Sequence, residues 1–80
     1  MSINTEEIEK IIGSEIASTQ ITVQGQDGKY QISMVSDFFT GMNAVKRQQA
    51  VYKVINPYIA SGEMHAVSMQ LLSEGEFAEG

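Results

Sequence analysis

The chain has 80 residues, 42% of them hydrophobic, and ten acidic side chains against five basic ones give it a net charge of -5 at neutral pH. A chain this short buries only about 60% of the surface its unfolded form exposes, which argues for one compact domain without a deep substrate cavity. With no cysteine, it cannot by itself build disulfides, thiolate zinc sites, thiol nucleophiles or all-cysteine iron–sulfur sites, and its acidic balance opposes general attraction to a phosphate backbone.

In chain order, Asn4 and Glu7 have capping-box spacing, Glu6 and Glu7 place negative charge at a helix start, and Ile8, Ile11, Ile12 and Ile16 form one apolar stripe. These features predict a helix from Thr5 to about Glu15. Gln20 to Gly25 alternates Ile21 and Val23 with polar residues, and Gln26-Asp27-Gly28 supplies a turn. Lys29 to Val35 then repeats the alternation with Tyr30, Ile32 and Met34, so the two segments predict an antiparallel hairpin.

Ser36 to Asn43 contains Phe38, Phe39, Gly41 and Met42, which is too bulky for a flexible linker. Asn43 is placed to cap a long helix, Asn43 to Ile59, whose apolar spacing runs through Val45, Tyr52, Ile55 and Ile59, with Pro57 set to end or kink it. Ser61-Gly62 is a turn, and Met64 to Leu72 reads as a third strand with His65, Val67, Met69 and Leu71 on one face. Ser73 to Gly80 closes the chain as a short helical turn. A strand, helix, strand succession favours a right-handed crossover, which places the third strand parallel to the second in a three-stranded mixed sheet with helices on one face. Neither an internal repeat nor a change of composition divides the chain, and residues 1–80 read as a single domain.

His65 is the only histidine, and it opens the third strand beside a glycine-containing turn. Such a position suits a ligand or a proton-transfer group; a structural hydrogen-bonding role is the plainer alternative. The serines Ser61, Ser68 and Ser73 have no G-x-S-x-G setting, so an enzyme is not expected. Lys46, Arg47 and Lys53 put three of the five basic residues on the long helix, either as a solvated face or as a docking surface for an acidic partner or an anion. Gly41 permits a tight turn before that helix, but a single glycine is not a phosphate-cradling loop. Tyr30, Phe38, Phe39, Tyr52 and Tyr58 fall at packing periodicity and are expected in the core. No segment reaches the roughly 18 apolar residues of a spanning helix, and the start of the chain is acidic where a leader would be basic, so a cytoplasmic protein without membrane contact is expected.

The run FTGMNAVKRQQAVY from Phe39 to Tyr52, followed by MHAVSM from Met64 to Met69, resembles the signature of the BolA family, particularly its IbaG-like branch. The resemblance covers about residues 5 to 72. It implies an α+β sandwich of class II KH-like form, α-β-β-α-β with a short C-terminal turn. It also implies a partner of monothiol glutaredoxin in iron–sulfur, redox or stress homeostasis. A [2Fe–2S] cluster would be shared with glutaredoxin and glutathione, with His65 as a ligand; in isolation the chain would carry none. The family's second ligand is usually a His or Cys in the first hairpin loop. Here Gly25-Gln26-Asp27-Gly28-Lys29 has neither, with Asp27 as a weak oxygen substitute. The family also implies an alternative, a DNA-binding transcriptional regulator contacting DNA around Gly41 to Val54 with Lys46, Arg47 and Lys53 on phosphates. The tail from Glu74 to Gly80 is shorter and more acidic than the family's, and Phe77 stands where its aromatic often falls.

Overall fold

In the computed structural model, which describes residues 3–79, Asn4 caps the first helix, α1 (Thr5–Glu15), through its side-chain oxygen, which accepts the Glu7 N–H at 2.8 Å. The Asn4 amide returns a bond to the Glu7 carboxylate at 3.2 Å, so the predicted capping pair acts in both directions. Ile8, Ile12 and Ile16 bury the apolar stripe, while Ile11 is half-buried.

Two antiparallel strands follow, β1 (Gln20–Gln26) and β2 (Lys29–Val35), in a register that sets Val23 opposite Ile32 and Ile21 opposite Met34. The third strand, β3 (Ala66–Leu72), pairs parallel to β2, so the sheet order is β1-β2-β3 with β2 in the middle. The register of β2 against β3 aligns Tyr30, Ile32 and Met34 with Val67, Met69 and Leu71, and this face meets the helices. The other face carries Thr22, Gln24, Gln31, Ser33, Ser68 and Gln70, with the one charge of the strand faces, Lys29, at its hairpin end.

A 3-10 turn, Asp37–Phe39, leads into the long helix, α2 (Ala44–Ala60). Asn43 is its N-cap, accepting the Lys46 N–H at 2.9 Å. Pro57 does not end the helix. It lies in the last turn, where the missing N–H removes one bond, and the Ser61 N–H closes on the Pro57 carbonyl at 3.1 Å. The core between α1, α2 and the sheet is built from Ile8, Ile12, Ile32, Met34, Phe39, Val51, Ile55 and Met64, all essentially inaccessible. Each such side chain contributes about 1.5–3 kcal/mol through burial.

Two placements differ from the expectations. His65 lies before β3, not within it, because its N–H and that of Ala66 both turn to the Gly28 carbonyl, at 2.6 and 3.0 Å. Phe38 is 49% exposed; successive side chains of a 3-10 turn diverge, and Phe39 takes the interior position. The short C-terminal helical turn forms as expected, as α3 (Glu74–Glu79). Its capping box lies at Ser73 and Glu76, where the Ser73 N–H donates to the Glu76 carboxylate at 2.8 Å and the Glu76 N–H to the Ser73 hydroxyl at 3.2 Å. Gly80 falls outside the described residues.

Candidate functional site

The hairpin tip and the start of β3 meet. Asp27 and Gly28 both take positive φ, 54° and 81°, which is the backbone a two-residue hairpin turn demands. That geometry buries Gly28 under the imidazole of His65: a β-carbon at 28 would stand 2.2 Å from His65 Cδ2. His65 itself is exposed. The ring is thus held against backbone on one side and open to solvent on the other, and the turn 25–29 borders it directly. Among the described residues, no three His, Cys, Asp or Glu side chains come together as a metal-binding group. The arrangement offers one imidazole, and the turn beside it carries one carboxylate residue, Asp27.

Gly41 sits elsewhere. Its φ of 83° requires glycine for the turn into α2, yet an added β-carbon would meet nothing within 4 Å. The need is therefore conformational and not one of close approach by another group. Gly41 precedes the first turn of α2 and His65 follows the last, and a helix of 17 residues is about 25 Å long. The two do not belong to a single site.

The three cations of α2 divide. Lys46 and Lys53 are exposed, with Lys53 bordering a cleft between α1 and α2 beside Glu15. The Arg47 side chain is only 11% exposed. Its guanidinium donates to the Met42 carbonyl at 3.0 Å, to the Leu71 carbonyl at 2.9 Å and to the Glu76 carboxylate at 2.6 Å. It also lies over the Phe39 ring, 5.9 Å from the centroid. Arg47 therefore joins the turn before α2, the end of β3 and α3. The bond from Arg47, and next the Ser73 N–H, lower the Glu76 pKa from its ordinary 4.5 to about 2. Sequence reasoning missed this clasp. Its available signal was the S-x-x-E spacing of Ser73 and Glu76, which marks a helix start. Phe77 is 49% exposed and borders a hollow with Gln20, Thr22 and Leu72, at the end of the sheet's polar face away from Lys29.

Comparison with known proteins agrees with this architecture. The family model described as BolA-like protein matches residues 5–76. An uncharacterized protein from the rpoN-murA intergenic region of Acinetobacter guillouiae is 39% identical over 92% of this chain and 89% of its own length. The acid stress protein IbaG of Escherichia coli K12 is 33% identical over 90% of this chain and 86% of its own. The crystal structure of a bol-like protein from Babesia bovis superposes with a TM-score of 0.87 at 23% identity, covering 99% of this chain and 94% of that one, a likeness of fold. With the family match spanning both the hairpin and the His65 strand, the chain belongs to the BolA family.

Proposed function

We propose that this protein is a non-enzymatic partner of a monothiol glutaredoxin, supplying His65 to a [2Fe–2S] cluster shared with glutaredoxin and glutathione, in iron–sulfur trafficking or in redox and stress homeostasis. The observation that carries this reading is the exposed imidazole of His65, held in place over Gly28 at the hairpin tip. The chain's donor set fits one position of a shared cluster and not a complete site, since it has no cysteine and its described residues form no group of three ligands. Asp27 is the further donor that the bordering turn could contribute. A neutral imidazole in place of a thiolate makes ligation sensitive to pH and raises the potential of the cluster when it is bound. The stress-related name of the IbaG relative is in keeping with this assignment.

Lys46 and Lys53 are suited to electrostatic docking, being exposed and seven residues apart along α2. Arg47 is not, because its donors are engaged within the molecule. The same engagement, with the net charge of -5, weighs against a phosphate-contacting, DNA-binding role. The test is calorimetric titration of cluster-loaded monothiol glutaredoxin into the wild type and into Lys46→Glu/Lys53→Glu at two salt concentrations. Binding that weakens in the double variant and in high salt is expected; no binding by the wild type would end the proposal.

A further inference from the structure

The two edges of the sheet are finished differently. On β1 the outward N–H of Val23 is met by the Glu9 carboxylate of α1 at 3.3 Å, a charged cover of the kind that keeps edge strands from pairing. On β3 the even-numbered residues bond toward β2 and its extension, with the Ala66 N–H donating to the Gly28 carbonyl and the Leu72 carbonyl accepting from the Ser36 N–H, both at 3.0 Å. Alternation along a strand then turns the backbone N–H and C=O of Val67, Met69 and Leu71 outward, while their side chains stay on the face that meets the helices. The Leu71 carbonyl is taken by Arg47 at 2.9 Å, while the N–H and C=O of Val67 and Met69 have no partner among the described residues. From Ala66 to Leu72 there is no charge and no proline to discourage pairing.

We propose that the β3 edge pairs antiparallel with the same edge of a second copy of this chain, about a two-fold axis at Ser68. The free stretch ends at the Arg47 clasp on Leu71 and at the Gly28 junction before Ala66, so its available groups lie symmetrically on either side of Ser68. With the axis there, Val67 faces Met69 of the second copy and Met69 faces its Val67. Each facing pair exchanges two hydrogen bonds, and every outward N–H and C=O of these residues is satisfied. The two Ser68 side chains meet as a non-hydrogen-bonded pair on the polar face, with Cα atoms about 4.5 Å apart. Electrostatics favour a copy as the occupant. Two chains of net charge -5 repel in general, yet Gln31, Ser33, Ser68 and Gln70 beside the middle of this edge carry no charge, Lys29 stands at its Ala66 end, and the two charges in the hollow with Met69 and Leu71, Arg47 and Glu76, are paired with each other. The stretch centred on Ser68 carries no charge to select a charged partner and is complementary to itself.

Sedimentation analysis of the purified chain from about 10 µM to about 1 mM tests this, a range suited to a short ladder of weak affinity. The wild type is expected to pass from monomer to dimer. Ser68→Lys and Ser68→Glu, each alone, place like charges across the axis and are expected to weaken the dimer at least about fivefold at low salt; mixing the two in equal amounts is expected to restore it. A wild type that stays monomeric throughout would overturn the proposal, as would either variant dimerising like the wild type, or a mixture that associates no better than its components.

Discussion

His65 and Gly28 form one unit: the imidazole covers a residue that can carry no side chain, since a β-carbon at position 28 would come within 2.2 Å of His65 Cδ2. Gly28→Ala must move the ring and also strain a backbone at φ 81°. It is expected to cost about 1–2 kcal/mol and to shift the His65 ring resonances. Gly41→Ala, at a similar φ but in open space, is expected to cost about 1 kcal/mol and leave those resonances unchanged. Denaturant titrations with NMR spectra of the imidazole check both.

The Arg47 clasp predicts a pH dependence. The Glu76 carboxyl is lowered to about 2 in the folded protein, chiefly by the bond from Arg47. A depressed carboxyl pKa stabilises the fold above its ordinary value of 4.5, and that contribution is lost as pH falls through this range toward 2. Glu76→Gln is therefore expected to melt below the wild type at pH 7, with the gap closing between about pH 5 and pH 2. The carboxylate is half-exposed, so solvent screening keeps that gap small.

Removing Arg47 itself has a larger effect. Arg47→Ala leaves the Met42 and Leu71 carbonyls without their donor as well as breaking the ion pair, at an expected cost of about 1–3 kcal/mol. Arg47→Lys recovers little, because an ammonium cannot reproduce the forked geometry that reaches both carbonyls and Glu76. Thermal melts of the two variants at pH 7 make the comparison.

Adjacent phenylalanines separate packing from surface. Phe39 is fully buried and Phe38 is 49% exposed, their rings edge to face at 5.8 Å. Phe39→Ala is expected to lose about 3–5 kcal/mol, and Phe38→Ala about 0.5 kcal/mol, measured by equilibrium unfolding in urea.

Local signals carried most of the architecture in the sequence. Asn4 and Asn43 announced their helices because caps act within four residues, and the alternation in Ile21–Val23 and Tyr30–Met34 reported a sheet with one buried face. The crossover rule then placed β3 parallel to β2. What escaped depends on residues far apart in the chain. Arg47 looks like the solvated cation beside Lys46 until Glu76, 29 positions later, and the Leu71 carbonyl are brought to it. Phe38 and Phe39 are indistinguishable by type, and the turn alone decides which enters the core. His65 was legible as the candidate ligand, but its seat on Gly28 was not, since periodicity says nothing of which hairpin turn lies beneath the residue that leads into a strand.

Ligation by His65 is tested most directly by anaerobic cluster reconstitution with a monothiol glutaredoxin and glutathione, followed by visible absorption and circular dichroism, comparing the wild type with His65→Ala. Shared ligation by His65 gives a wild-type spectrum distinct from that of the glutaredoxin homodimer and lost in His65→Ala. Identical spectra for the two chains, both matching the homodimer, would contradict it.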